Sequence, residues 1–253
     1  MSFDAMRAPV CRRAHFRFLN GFMKTKQATP VLALLLVSAA FTAVAAEPAK
    51  ASGPLALRVQ HELSALGADG VRRDIYFTER VYREGGTVWI EREIPHGAHD
   101  EAEHAKADKG HKHMDMSAAA RWIERQPSGK LSVRLVSDAM RKTFEVSPAE
   151  YGNIGFDGSW ATAYHLLDPA ALKTMSASGP ARGGVQEYRA RRGDEQVTVQ
   201  WDVAGQYPRL VQSRNASGTQ KKITRVTAAA LPQPAPWNRT RPYAKGEYTD
   251  LMD

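Results

Sequence analysis

The sequence predicts a mostly β protein of the α+β class, in which one antiparallel sheet carries short helices on one face. Three observations lead to this prediction. Most of the apolar segments alternate apolar and polar residues with the two-residue period of a strand. Short turns, several of them rich in glycine, join these segments as in β-hairpins. Only two short segments in the middle of the chain have helical spacing, so a sheet with helices on one side is the simplest arrangement.

Composition is that of a folded globular protein and does not indicate a nucleic-acid partner. The 253 residues are 43% hydrophobic and 25% charged, which excludes collagen-like, coiled-coil and wholly disordered chains. The formal charge of +8 is unevenly distributed, because residues 1–46 carry six Lys and Arg side chains and one Asp. The other 207 residues carry 29 basic and 26 acidic side chains, a balance too even for nucleic-acid binding.

Residues 23–46 (MKTKQATPVLALLLVSAAFTAVAA) have the pattern of a secretory signal peptide. Lys24 and Lys26 precede an apolar run over 31–37, and small residues lead to a cleavage site near Ala46. A membrane-spanning helix is the alternative, but it needs about 20 apolar residues, and this run is shorter. The pattern predicts export to a bacterial periplasm, with no stable membrane insertion after cleavage.

Residues 1–22 are polar and rich in arginine, and they are interpreted as an extension upstream of the true start at Met23. The single cysteine, Cys11, lies in this extension. The processed chain therefore has no disulfide, no thiolate nucleophile and no cysteine zinc site.

The processed chain is expected to form one β-rich domain over 47–230, followed by a proline-rich tail over 231–253. The first half contains two hairpins and a segment at 119–125 that fits either a strand or a short helix. The Ser147-Pro148-Ala149-Glu150 sequence predicts a helix start near Tyr151. Further helical pieces are predicted around Trp160 and after Asp168, which caps the second piece. About eight strands are expected, within the segments 55–63, 71–83, 87–94, 130–137, 142–147, 184–191, 195–203, 207–214 and 221–227. The tail has no apolar period and is expected to wrap the surface or to be partly disordered.

This order of elements resembles the LolA-like family of periplasmic carriers. The residues behind the resemblance are the signal peptide, the Gly85-Gly86 turn before TVWIERE, the hairpin SVRLVSDAMRKTFEVSPAEY and the helix followed by DPAAL at 160–172. The resemblance implies a curved half-barrel whose concave side is closed by helices. It also implies a concave apolar cavity that is able to hold an acyl chain or a similar hydrophobic ligand.

The segment 96–116 (HGAHDEAEHAKADKGHKHMDM), within a polar loop over 95–118, predicts a transition-metal site. Imidazole binds borderline metals well, and thioether sulfur favours Cu(I), so copper is expected before zinc or nickel. A solvated, charged insertion is the alternative interpretation. The candidate ligands are His96, His99, His104, His111, His113, Met114 and Met116.

Reversible metal binding is thus the main function predicted from the sequence, and a carrier for a lipid or another hydrophobic ligand is the alternative. An enzyme is not expected, because no catalytic constellation is visible and no organic cofactor is indicated. His61 and His165 are isolated along the chain, and such histidines are more often packed or hydrogen-bonded than catalytic.

Overall fold

Two antiparallel meanders make up most of one twelve-stranded sheet. The computed structural model describes residues 53–94 and 119–251. In this part of the chain, the strands are β1 (Leu55–Leu66), β2 (Arg72–Glu84), β3 (Thr87–Glu93), β4 (Ala120–Arg125), β5 (Leu131–Ser137), β6 (Lys142–Glu145), β7 (Ser176–Ala177), β8 (Val185–Arg192), β9 (Glu195–Asp202), β10 (Tyr207–Asn215), β11 (Gln220–Ala229) and β12 (Ala244–Glu247). Their spatial order is β12-β6-β5-β4-β3-β2-β1-β11-β10-β9-β8-β7. The pairing of β1 with β11 joins the two meanders, and β12 runs parallel to β6. The predicted fold class, a mostly β, curved and almost wholly antiparallel sheet with few short helices, is confirmed.

The helices are short, and the predicted caps begin two of them. They are a 3-10 helix (Pro148–Ile154), α1 (Trp160–His165), α2 (Pro169–Leu172), α3 (Pro236–Thr240) and a second 3-10 helix (Tyr248–Leu251). The backbone N–H of Ser147 donates to the Glu150 carboxylate at 3.3 Å, as the capping box requires. Oδ1 of Asp168 accepts from the N–H of Ala170 at 2.8 Å. The segment at 119–125, left open between strand and helix, forms strand β4.

Because successive side chains of a strand point to opposite sides, the sheet has two faces, and these differ in chemistry. One face, here called the apolar face, carries Leu57, Val81, Val88 and Ile123 in one buried cluster. Ala163 of α1 and the partly buried Tyr151 of the first 3-10 helix pack against this cluster. Further along the same face, Val199 and Trp201 of β9 pack against Leu172 of α2. The first three helices therefore cover the apolar face.

The opposite face, here called the polar face, carries ion pairs between neighbouring strands. Arg58 of β1 and Arg80 of β2 both bind the Glu93 carboxylate of β3, at 3.0 and 3.3 Å. Arg134 of β5 bridges Glu124 and Glu145 on the two flanking strands, at 2.6 and 2.9 Å. These side chains are partly exposed, so each pair contributes little stability by itself.

The C-terminal tail is more ordered than the sequence predicted. Trp237 of α3 and Tyr243 bury their rings against Trp89 and Trp122 at one corner of the polar face. The chain then adds β12 to the sheet beside β6. Of the two alternatives expected for the tail, a path along the surface holds over 231–251 and partial disorder does not, because Trp237 and Tyr243 pack in an aromatic cluster made by distant strands. With β7 and β12 included, the sheet has twelve strands instead of about eight.

We expect Trp237→Ala to lower the free energy of unfolding by about 3–5 kcal/mol, because it empties a buried aromatic site. Trp237 is 6% exposed. Urea denaturation followed by far-UV circular dichroism measures the loss. Asn238→Ala, at an exposed position of the same helix, is the matched control. A loss below about 1 kcal/mol for Trp237→Ala would show that Trp237 does not anchor the tail, because losses of that size are typical of substitutions on the surface.

Candidate functional site

Among residues 53–94 and 119–251, helices cover the apolar face at one end of the sheet and leave it open at the other. On β1, Val59 is buried, whereas Leu63 is half-buried. On β2, Val81 is buried, whereas Ile75 is exposed. The uncovered end is the one where the β1–β2, β8–β9 and β10–β11 turns lie, and it is here called the tip end. The half-buried or exposed residues of this face toward the tip end, here called the open half, are His61, Leu63, Ile75, Phe77, Val197, Val211, Ser213 and Thr224.

A network of polar side chains lies at the border between the covered end and the open half. His61 Nε2 lies 3.2 Å from Oε2 of Glu79, and Arg121 donates to Oε1 of the same carboxylate at 2.8 Å. The other ring nitrogen of His61 lies 3.2 Å from the hydroxyl of Thr224. Arg121 also donates to the carbonyl oxygen of Ile154 at 3.4 Å, which ties the network to the first 3-10 helix. Strands β1, β2, β4 and β11 thus meet in one hydrogen-bonded group.

The charges of this network favour the ionised form of Glu79. Burial alone would raise the pKa of the Glu79 carboxyl. The hydrogen bond with His61 and the charges of Arg121 and Arg92 outweigh this penalty and hold the pKa below its ordinary value of 4.5. The site therefore presents an ionised, fully paired carboxylate beside apolar side chains.

Aromatic stacking continues the network into the open half. The ring of His61 stacks on that of Phe77, with centroids 4.4 Å apart and planes 21° apart. The guanidinium of Arg92 lies 4.8 Å from the Phe77 ring centroid, and the Arg92 side chain is exposed. Within the described residues, Arg92 pairs with no carboxylate at ion-pair distance.

The covered end of the apolar face is built around a buried arginine. Arg83 is 0% exposed, and it donates to the carbonyl oxygens of Tyr164, Gly205 and Gln206. Its guanidinium also lies 4.5 Å from the centroid of the Tyr164 ring. His165 Nδ1 lies 2.8 Å from the same Gln206 oxygen. These contacts hold helix α1 and the β9–β10 turn on the sheet.

The residues predicted to bind metal cannot be compared with this site. The candidate ligands His96, His99, His104, His111, His113, Met114 and Met116 lie outside the described residues, as do the predicted signal peptide and Cys11. The chain leaves the described part after Ile94 and returns at Ala119. Over 53–94 and 119–251, no group of three or more His, Cys, Asp or Glu side chains is arranged to hold a metal ion. No helix in these same ranges is long and apolar enough to cross a membrane.

Sequence reasoning noted His61 but missed its partners. The signal that could have revealed them is a charged residue on the apolar face of an alternating strand. In β2, Glu79 falls in register with Phe77 and Val81, and in β4 Arg121 falls in register with Ile123. A polar side chain at such a position requires a partner within the fold. The expectation that His61 and His165 are hydrogen-bonded is confirmed.

Comparisons with known proteins give structural matches of low similarity. No protein-family model matches the chain, and no curated protein matches it significantly. An uncharacterised conserved protein from Thermus thermophilus matches with a TM-score of 0.36 and 10% identity, over 78% of this chain and 91% of the other. A LolA superfamily protein from Nitrosomonas europaea matches with a TM-score of 0.31 and 9% identity, over 72% and 88%. A putative outer membrane lipoprotein-sorting domain from Vibrio parahaemolyticus matches with a TM-score of 0.32 and 8% identity, over 76% and 91%. LolA-like proteins, which the sequence pattern resembles, are thus among the matches, at a similarity too low to transfer a function or a residue's role.

We expect Glu79→Gln to make the free energy of unfolding depend less on pH at acidic pH. A carboxyl with a lowered pKa contributes stability above its unfolded pKa, near 4.5, and the contribution is lost as the pH falls through the folded value. The variant should be less stable than the wild type at pH 7 by about 1–3 kcal/mol, since Arg121 loses its charged partner. This difference should shrink as the pH falls below about 4.5.

Urea unfolding midpoints over a pH series measure this difference. Glu84→Gln, at an exposed position of the same strand, is the control and should follow the wild-type curve. Parallel curves for the wild type and Glu79→Gln would show that the network does not stabilise the ionised carboxylate.

Proposed function

We propose that the protein is an exported, periplasmic binding protein that holds an amphiphile on the open half of the apolar face. The change from buried to half-buried apolar side chains along this face is the observation that carries the proposal. Monomeric proteins seldom leave a row of apolar side chains next to their core open to water unless something binds there. The predicted signal peptide supports the periplasmic location.

The side chains on and beside the open half indicate which kind of ligand would bind. Val197 and Val211 offer an apolar surface for a hydrocarbon chain. Arg92 and Lys222 are exposed on the same face, and Lys222 lies opposite Leu63 in the register of β1 and β11. A guanidinium and an ammonium next to an apolar surface suit a carboxylate or phosphate headgroup joined to a long chain. A neutral hydrocarbon would contact the apolar surface but would form no ion pair with the two basic side chains.

We expect Val211→Asp to weaken the binding of a fluorescent long-chain fatty acid by about tenfold or more. A carboxylate placed under the hydrocarbon chain must be desolvated when the ligand binds, and tenfold corresponds to about 1.4 kcal/mol. Fluorescence titration measures the affinity. Val203→Asp, at an exposed valine in the turn at the opposite end of the sheet, is the matched control. Far-UV circular dichroism of each variant checks that the fold is kept.

The variant Arg92→Gln distinguishes the contribution of the ligand's headgroup to the affinity from that of its hydrocarbon chain. It should weaken the binding of the fatty acid but should not change the affinity for N-phenyl-1-naphthylamine, a neutral apolar probe. If Val211→Asp binds both probes as well as the wild type does, the open half is not the binding surface.

Reversible binding of a transition metal by the segment 96–116 is a second candidate function. It rests on the sequence, where five histidines and two methionines fall within 21 residues. Imidazole and thioether ligands without thiolates favour copper over zinc or nickel. The two functions are compatible, because the metal ligands and the open half are separate groups of residues.

We expect deletion of residues 96–116 to abolish uptake of Cu(I), Cu(II) and Zn(II) in calorimetric titrations. Binding by the intact protein should weaken as the pH falls through about 6.5, where free imidazoles protonate. The variant His61→Asn removes a histidine outside the segment and serves as the control. Unchanged metal uptake after the deletion would eliminate this candidate.

A further inference from the structure

The tip of the β1–β2 hairpin exposes an unusual concentration of large apolar side chains. Leu66 is 40% exposed, Val71 50%, Ile75 53% and Tyr76 66%. Only two other large apolar residues in the described ranges, Ile94 and Val203, are exposed to a similar degree. Scattered apolar side chains on a surface are normal, whereas a cluster marks a site of interaction.

The apolar side chains lie on both faces of the tip. Leu66 and Tyr76 point to the polar face, because they share the register of Glu62 and Ser64. Ile75 lies opposite Leu63 and points to the apolar face, and Val71 lies at the end of the turn. A partner that docks against one face of the sheet would leave half of these side chains in water.

On one side the hairpin extends beyond β3, whereas on the other side β11 stays paired with β1 as far as Ala65. The described pairing of β2 with β3 ends at Thr78. The six residues from Arg72 to Phe77 continue for about 20 Å at the ordinary rise of a strand. The apolar tip therefore lies at the end of a part of the sheet that continues past β3 and includes β1, β2 and β11.

The tip end of the sheet carries an excess of positive charge. The β8–β9 and β10–β11 turns lie at the same end as the β1–β2 turn, because Glu195 pairs with Asn215 and Lys221 pairs with Ser64. Over 62–76, 191–195 and 214–225 there are eight arginines and lysines and five carboxylates. The basic residues are Arg72, Arg73, Arg191, Arg192, Arg214, Lys221, Lys222 and Arg225.

We propose that the tip end docks reversibly on an anionic lipid surface, with the β1–β2 tip immersed among the lipid headgroups. Immersion covers the apolar side chains on both faces of the tip at once, which a protein partner docked on one face cannot do. Tyrosine is favoured at the membrane–water interface, and arginine and lysine can extend their charged groups to anionic headgroups. Each basic side chain near such a surface contributes about 1 kcal/mol of attraction.

A fluorophore placed on the tip tests this docking directly. Because Cys11 is the only cysteine, the full chain with Cys11→Ser can be labelled at a single introduced position. Tyr76→Cys places an environment-sensitive NBD label on the tip, and Val203→Cys places it in a turn at the opposite end of the sheet. The vesicles are phosphatidylglycerol mixed with phosphatidylcholine, and phosphatidylcholine alone.

With anionic vesicles, the label at position 76 should shift to the blue and brighten, while the label at position 203 should not change. Phosphatidylcholine vesicles should produce a much smaller effect at position 76. If the N-terminal segment alone brought the protein to vesicles, the label at position 76 would stay in water, and the proposal would be overturned. A change at position 76 that depends on protein concentration without lipid would assign the tip to self-association and would also overturn it.

A double variant tests the contribution of the positive charges at the tip end. Arg72→Gln combined with Lys222→Gln should require about 25-fold more anionic lipid for the same change at position 76, given about 1 kcal/mol for each charge. Arg239→Gln combined with Arg241→Gln, in and just after helix α3, is the matched control. Equal lipid requirements for the two double variants would contradict an electrostatic attraction at the tip end.

Discussion

The buried guanidinium of Arg83 organises the covered end of the apolar face. An arginine cannot lose its charge in a protein, so its donors need acceptors wherever it is buried. Within the described residues, no carboxylate pairs with Arg83; carbonyl oxygens from helix α1 and the β9–β10 turn accept instead. Those carbonyls belong to segments far apart in the chain, and the arginine draws both onto the end of β2. Burial lowers the pKa of Arg83, but the neighbouring carbonyl oxygens and the Tyr164 ring supply the negative potential that compensates for lost water.

This arrangement decides where the apolar face is closed and where it remains open. The helices lie over Val81 and Val199 because Arg83 and the apolar clusters hold them there. They do not extend to the tip end, where apolar residues of the same face continue with partial exposure. A polar network around Glu79 marks the boundary, and it satisfies its own charges instead of leaving them for a ligand. Arg92 and Lys222 lie beyond it on the same face, and both are exposed.

Polar side chains on the apolar face explain why the candidate site was only partly predictable. The strand β2 was evident from the sequence, and so was the hairpin that joins β2 to β3. Glu79 and Arg121, however, lie 42 positions apart. Their pairing depends on β2 and β4 lying on either side of β3, and this order follows from the meander, not from either segment. The same reason explains His61, which looked isolated because its partners are on other strands.

Local patterns were sufficient for most strands, for the caps at Ser147 and Asp168, and for the fold class, because strand period and cap chemistry depend only on near neighbours. The sequence also determined the uneven charge and the His- and Met-rich segment, whose chemistry is a matter of composition. Only the tertiary structure decided that the proline-rich tail is an ordered part of the sheet, since the aromatic pocket that receives Trp237 is made by distant strands. It alone also determined that the helices cover one end of the apolar face, because burial depends on which segments meet after the whole sheet has formed.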